Sequence, residues 1–220
     1  MTDMLSHDEK YEHLIGKPSH NAGPRRFLKD EEIEAIKDHF DWKIENDNKN
    51  NLALRDFTLM MFAMYTGLRI NEILRLNIRD VMTYSSINNE FRIFESKTGT
   101  TRQIKSQPGL KEILSAFIDH YGHGTNKDSP LFLTVSGTRL GTRQASNIFR
   151  NTFERCSLTG SLGCHSARKT FAKKAMELSG NSIPLVQLAL NHKDMATTYH
   201  YVNSLDKEKC QDEIVMKMEF

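Results

Sequence analysis

Residues 52–76 read LALRDFTLMMFAMYTGLRINEILRL. The part up to Tyr65 is strongly apolar and predicts a helix in the centre of the core. Gly67 predicts the end or a bend of that helix, and a second short helix follows it. Arg69 stands at the start of the second stretch, three residues before Glu72 and on the same predicted face. An ordinary ion pair would explain these two residues, and so would a guanidinium held in place to bind an anion.

The remaining patterns predict a mostly α-helical fold with one small antiparallel sheet, the α+β class. A helix is predicted over residues 27–45. Short segments with alternating or β-branched residues, between about residues 78 and 106, predict the strands of the sheet. Further helical patterns follow Pro108, and they cover residues 109–121, 142–156, 166–179, 182–190 and 195–202.

The sequence predicts three regions. Residues 1–25 are polar and rich in glycine and proline, which predicts a flexible N-terminal arm. Residues 26–205 carry the motifs described below, and residues 206–220 predict a last amphipathic helix. The apolar side chains of this tail would pack either on its own domain or on a neighbouring subunit, and they are Ile214, Val215 and Met218.

Composition excludes several classes of protein. The chain has 220 residues, 38% of them hydrophobic, which is enough for one core. It contains no apolar run of about 18 residues, so no membrane span is expected, and residues 1–17 do not form the apolar core of a secretory signal. The cysteines at 156, 164 and 210 are few and far apart, which predicts reduced thiols in a cytoplasmic protein.

The charges are segregated along the chain. Residues 28–48 contain eight acidic residues and three lysines, whereas residues 96–174 contain thirteen basic and four acidic residues. A basic middle predicts a surface for a polyanion, and an ordinary solvated face is the alternative. Because carboxylates are scarce there, metal-dependent nuclease chemistry is not expected. Phosphate-loop, dinucleotide-binding, CxxC and HExxH motifs are absent from the sequence.

Two motifs in the basic middle carry candidate functional groups. Lys97 lies in SKTGT, a predicted β-turn, where a lysine is ordinarily only solvated. His165 and Arg168, in CHSARKTF, lie on one face of a predicted helix. They are near its N-terminus, where backbone N–H groups attract a phosphate. The core stripe of this helix is predicted to be Ala167, Phe171, Ala175 and Leu178, which would place the pair beside the buried face.

In order along the chain, these motifs resemble the catalytic domain of the tyrosine recombinases, also called the phage integrase family. TGLRINEILRL resembles its first arginine motif, and SKTGTTRQIK resembles its hairpin lysine motif. HSARKTFA matches its H-x-x-R motif, and LNHKDMATTYHYV resembles its closing motif. The resemblance covers roughly residues 27–205 and identifies residues 26–205 as such a catalytic domain.

The resemblance implies an enzyme that cuts and rejoins double-stranded DNA through a covalent 3′-phosphotyrosine, with neither metal nor ATP. Glu72 would support the first arginine. Tyr201 would be the nucleophile because it follows His192 by nine residues, the usual spacing, and Tyr199 is the alternative. The six active-site residues would be Arg69, Lys97, His165, Arg168, His192 and Tyr201.

The resemblance also implies partners. The chain would act on DNA as a homotetramer, with a monomer as the alternative when it is free, and accessory DNA-bending proteins would assist. A membrane is not an expected partner. The location would be cytoplasmic and nucleoid-associated, in a bacterium, phage or mobile element. Further basic residues predicted to bind DNA are Arg102, Lys105, Arg139, Arg143 and Lys169.

Two features depart from the family pattern. A DNA-clamping domain usually precedes the catalytic domain, but only about 25 residues do so here, which predicts either a catalytic-domain-only recombinase or a fragment. Asn191 replaces the usual glycine of the closing motif, which is expected to cost little if its φ is negative. The alternatives are a non-cleaving DNA-binding or regulatory protein on the same fold, a type IB-like topoisomerase and a protein-interaction module.

Overall fold

The structure, a computed structural model, describes residues 25–46, 52–95, 99–121, 126–191 and 198. The predicted tail helix at residues 206–220 lies outside this part of the chain, as does the predicted arm except for Arg25. No helix within the described residues is long and apolar enough to cross a membrane.

The described residues form eight helices and four strands. The helices before the strands are α1 (Asp30–Asn46), α2 (Leu52–Thr66), α3 (Ile70–Leu74) and α4 (Ile78–Val81). The strands are β1 (Met82–Thr83), β2 (Ser86–Ile87), β3 (Glu90–Glu95) and β4 (Thr100–Lys105). The later helices are α5 (Pro108–Tyr121), α6 (Thr142–Arg155), α7 (Cys164–Leu178) and α8 (Ile183–Leu190). The mostly α-helical class with antiparallel pairing is therefore confirmed.

The prediction of one sheet starting near Ile78 is wrong. β1 pairs only with β2 and β3 only with β4, so the strands form two separate antiparallel hairpins. Residues 78–81 are helical instead, because the Asp80 Oδ2 accepts a hydrogen bond from the backbone N–H of Asn77 at 2.7 Å and caps the turn. This local cap outweighs the weak strand preference of the β-branched side chains.

Helix α2 is the centre of the core, where it packs against α1, α5 and α7. Phe62 is fully buried on it, stacked on Phe91 with ring centroids 5.7 Å apart and edge-on to Phe132 at 6.4 Å. Phe132 in turn stacks on Phe117 at 5.6 Å. These aromatic contacts join the long helices to the β3–β4 hairpin, so the C-terminal end of α2 is firmly placed.

Gly67 ends α2 and turns the chain into α3. Its φ is +61°, in the left-handed region that favours glycine, and its N–H donates to the Ala63 carbonyl oxygen at 3.0 Å. A Cβ at this position would lie 2.4 Å from Cδ1 of Phe171 on α7. Both the backbone conformation and the close approach of the Phe171 ring therefore require glycine.

The predicted core stripe of α7 is partly wrong. Ala167 is fully buried as expected, but Leu178 is 80% exposed. Arg168 lies on the buried face rather than beside it, together with Ala172. The reason is that α7 packs between α2 and α8, so its buried face includes Arg168.

We expect Gly67→Ala to lower the free energy of unfolding by about 2–5 kcal/mol, because it adds left-handed backbone strain and a clash with Phe171. Gly137→Ala is the matched control, since Gly137 has a φ of +75° but open space around its Cβ position. Gly137→Ala should lower the free energy of unfolding only through left-handed backbone strain, by about 1–2 kcal/mol. Urea denaturation measures both, and equal losses would contradict the close packing against Phe171.

Candidate active site

Arg168 is the most deeply buried of the predicted site residues that the structure describes. It is only 4% exposed, and its guanidinium bonds two backbone carbonyls from other parts of the chain. Nη1 donates to the Gly67 oxygen, and Nη2 donates to the Leu190 oxygen at 2.8 Å. Gly67 is two residues before Arg69, and Leu190 is two residues before His192. One side chain thus connects three of the sequence motifs.

Arg69 and Glu72 form the ion pair that their spacing predicts. Arg69 is the N-cap of α3, and its backbone N–H donates to Glu72 Oε2 at 2.8 Å. Its Nη1 donates to Glu72 Oε1 at 3.0 Å. The half-buried carboxylate therefore caps the helix and holds the guanidinium at once. The Arg69 side chain remains 40% exposed, so solvent or a ligand can still reach it.

His165 lies among cations at the start of α7. His165 is an exposed residue, but protein atoms around its ring displace water and lower its pKa below the usual 6.5, and the charges of Arg168, Arg25, Arg69 and Lys169 lower this pKa further. The four residues whose charges lower the pKa of His165 are here called the cationic cluster: Arg25, Arg69, Arg168 and Lys169. The low pKa favours the neutral imidazole at pH 7, which is the form that accepts a proton.

Three of the six predicted active-site residues lie outside the described part of the chain: Lys97, His192 and Tyr201, together with the alternative nucleophile Tyr199. The structure does place the segments that lead to two of them. Glu95 and Thr100 pair at the end of the β3–β4 hairpin and flank Lys97, and Leu190 precedes His192. The roles assigned to these residues stay predictions.

The five residues predicted to bind DNA have different surroundings. Lys105 and Arg143 are exposed, Lys169 is only 6% exposed, and the side chain of Arg102 is outside the described part. Arg139 is bound within the protein: its Nη1 donates to the carbonyl oxygens of Leu74 at 2.7 Å and Leu76 at 3.1 Å. Arg139 is exposed as a residue, but these bonds occupy its guanidinium. DNA contacts by all five stay predictions, and the exposed Lys105 and Arg143 offer the most accessible donors.

Asn191 ends α8 with a φ of +51°, so the condition of a negative φ, under which the loss of glycine would cost little, is not met. The position has the left-handed conformation that favours glycine, and asparagine tolerates it better than most residues do. The motif can therefore keep its shape here with asparagine in place of glycine.

The two described cysteines are free thiols, as predicted, while Cys210 lies outside the described residues. Cys156 is buried, and burial raises its pKa to about 12. Across the residues that the structure places, no three His, Cys, Asp or Glu side chains are grouped to hold a metal ion.

Sequence reasoning missed the part that Arg25 and Arg26 play. Arg25 belongs to the region predicted to be a flexible arm, yet its charge reaches His165. Arg26 forms two hydrogen bonds with Glu32, at 2.6 and 2.7 Å. An arginine a few residues before an acidic helix start could have indicated the Arg26–Glu32 pair, whereas no signal in the sequence connects Arg25 with His165.

Comparison with known proteins identifies the family of the chain. The model of the phage integrase family matches residues 26–208. Tyrosine recombinase XerC of Pelobacter propionicus is 28% identical over 160 residues, covering 72% of this chain and 51% of that protein. Probable integrase/recombinase YoeC of Bacillus subtilis is 30% identical over 184 residues, covering 83% of this chain and 90% of that protein. The chain therefore belongs to the phage integrase family.

The fold is also that of solved recombinases. The XerH site-specific recombinase, in a crystal structure with its difH substrate, superimposes with a TM-score of 0.67 and 20% identity, covering 92% of this chain and 56% of that chain. The present chain spans about half the length of the XerC proteins that it matches.

We expect Arg168→Lys to lower the free energy of unfolding by about 1–3 kcal/mol, because an ammonium lacks the planar fork that bonds both carbonyls. Arg143→Lys, the same change at an exposed site, should stay within about 0.5 kcal/mol of the parent protein. Equal values in urea denaturation would show that the two carbonyl bonds are not needed.

We expect His165 to titrate below pH 6.5, the usual histidine value, because burial and four cations oppose its protonation. The folded protein then binds fewer protons than the unfolded chain, so this group's contribution to stability is complete above 6.5 and is lost as the pH falls through the folded pKa. Histidine NMR signals measure the midpoint, with the urea-unfolded chain as reference. A midpoint at or above that of the reference would contradict the cationic cluster.

Proposed function

We propose that this protein is a site-specific DNA recombinase that cuts and rejoins double-stranded DNA through a covalent 3′-phosphotyrosine on Tyr201, without metal or ATP. The observation that carries the proposal is the pair of bonds from buried Arg168 to Gly67 and Leu190. They draw the Arg69 motif and the residues before His192 towards His165. Membership of the phage integrase family supports the same reading.

The cationic cluster suits a phosphodiester that is under attack. Attack adds negative charge to the non-bridging oxygens, and fixed donors aimed at them lower the barrier, each by roughly 3–4 kcal/mol. Arg69 is a permanent cation with a planar fork, and Glu72 holds it in place before the DNA arrives. In the proposed site Arg69 and Arg168 bind these oxygens, and His192 donates a further hydrogen bond.

The proton transfers follow from the groups available. The phenol oxygen of Tyr201 bonds to phosphorus while the bond from phosphorus to the 5′ oxygen breaks. His165, whose depressed pKa keeps it neutral, accepts the phenol proton. Lys97 gives a proton to the leaving 5′ oxygen. A 5′-hydroxyl of a partner strand then attacks the phosphotyrosine, giving its proton to the neutral Lys97, while the bond from phosphorus to Tyr201 breaks and His165 returns the proton to the phenol oxygen. The phosphodiester is thus restored without a net change in bonds.

The proposed partners are double-stranded DNA and further copies of the chain. The XerH recombinase is bound to its difH substrate, and in the present chain the exposed Lys105 and Arg143 offer cations for DNA phosphates. We infer a homotetramer on DNA in a bacterial cell, with the tail at residues 206–220 docked on a neighbouring subunit and accessory DNA-bending proteins assisting. Exposed apolar Leu185 and Leu188 on α8 are available for subunit contacts.

We expect a nicked suicide substrate, cut from the DNA that flanks the gene, to trap a denaturant-resistant adduct with the parent protein. Tyr201→Phe should abolish the adduct because the nucleophilic oxygen is gone, and Tyr199→Phe is the matched control that keeps it. Gel electrophoresis of labelled DNA after denaturation measures both. The nucleophile would be Tyr199 instead if the two variants behaved in the opposite way.

The adduct assay, combined with measurements of DNA binding and of plasmid relaxation, separates the alternative functions. DNA binding without an adduct on any flanking site would favour a non-cleaving DNA-binding or regulatory protein. Relaxation of supercoiled plasmid without sequence preference would favour a topoisomerase. Absence of DNA binding at low salt would leave only a protein-interaction module.

A further inference from the structure

Arg25 lies directly over the start of α7. Its Nη1 donates to Ser161 Oγ at 3.2 Å. Its Nε is 3.2 Å from the point where a Cβ would stand on Gly163, the N-cap of α7. Gly163 is two residues before His165. The guanidinium therefore crosses the loop that enters the site, and none of the family motifs includes it.

The neighbouring residue fixes the position of Arg25. The backbone N–H of Arg26 donates to the Ser161 carbonyl oxygen at 3.0 Å, and its Nε donates to the Thr159 oxygen at 2.9 Å. Its two terminal nitrogens bond the two carboxylate oxygens of buried Glu32. Because this anchor already orders the backbone, a ligand that binds Arg25 does not have to order it.

The positive charges around Arg25 favour the binding of an anion. Arg25 is exposed, its hydrogen bond goes to a neutral hydroxyl, and Arg69, Arg168 and Lys169 act on the same imidazole. Gathering like charges is unfavourable by itself, and a bound phosphate would relieve it. An arginine fork matches two phosphate oxygens.

We propose that Arg25 is a further phosphate-binding residue of this site, contacting the DNA backbone next to the phosphate that is attacked. The inference rests on the proposed function, because it assumes DNA as the ligand. It adds a contact from the segment before α1 to those made by the motif residues.

The first test is the salt dependence of binding to a random-sequence DNA duplex of about 30 base pairs, measured by fluorescence anisotropy with the full chain. Arg25→Gln should weaken binding roughly tenfold at low salt and reduce the slope of log K against log salt by about 0.9. Lys29→Gln is the matched control: it removes one exposed charge four residues away, where Lys29 faces Glu31 at 3.6 Å. It should change the affinity less than about twofold.

A second variant separates phosphate binding from a structural role. Ser161→Ala removes the hydroxyl that Arg25 bonds but leaves the charge, so the slope should be unchanged. If Ser161→Ala reproduced the Arg25→Gln defect, Arg25 would be a positioning residue and the proposal would be overturned. Should Arg25→Gln fail to fold, Arg25→Lys replaces it. Arg25→Lys should keep the slope because the charge remains, and it should lower the affinity several-fold because the planar fork is lost. Unchanged affinity would overturn the proposal.

A measurement without DNA checks the location of Arg25. Arg25→Gln should raise the NMR titration midpoint of His165, since it removes one of the four charges that lower its pKa, the others being Arg168, Arg69 and Lys169. Lys29→Gln should leave the midpoint in place. An unchanged midpoint in Arg25→Gln would place Arg25 away from His165 and overturn the proposal.

These results are distinguishable from a failure of the recombinase function. If the parent protein forms an adduct and Arg25→Gln binds DNA as Lys29→Gln does, only the Arg25 contact is overturned. If the parent forms no adduct but Arg25→Gln reduces the slope of log K against log salt as expected, the phosphate contact stands and strand cleavage is overturned. If the parent does not bind DNA, both fail.

Discussion

The site depends on the two hydrogen bonds from Arg168 to the carbonyls of Gly67 and Leu190. A buried guanidinium is costly unless its donors are satisfied, so the fold must bring these carbonyls to it. Gly67 does so through a left-handed turn that the Phe171 ring closes tightly from α7. Leu190 does so at the C-terminal end of α8. Two distant parts of the chain thus satisfy the charge of a third, and they bring their neighbouring motif residues with them.

The same region concentrates positive charge beyond what stability alone would favour. Glu72 bonds Arg69, whereas desolvation of the His165 ring and then the charges of the cationic cluster hold the pKa of His165 low. A protein optimised only for stability would place more carboxylates here. The excess of positive charge is explained if a bound polyanion neutralises it. On the proposed function, binding energy from the DNA phosphates compensates for repulsion that the free protein tolerates.

The sequence allowed prediction of most of this arrangement where the signal was local. Helix periods, the i, i+3 pair of Arg69 and Glu72, and the order of the motifs all depend on residues close in the chain. The errors arose where tertiary contacts decide. Periodicity assigns apolar residues to the core, so it could not place Arg168 on the buried face of α7 or Leu178 in solvent. A cap from Asp80 turned a β-like segment into α4, and Arg25 meets His165 only through the fold.

The anchor formed by Arg26, Glu32 and Thr159 has a consequence for the order of folding. The contact between Arg26 and Thr159 spans 133 residues of sequence, so a long loop must close before it forms. The ring stacking around Phe62 can assemble without it. We therefore expect the anchor to be a late step, and its opening to be a local event that exposes the amides of residues 159–163 to hydrogen exchange while the centre of the molecule stays protected. The loop that enters the site would then lose and regain its order while the core stays folded.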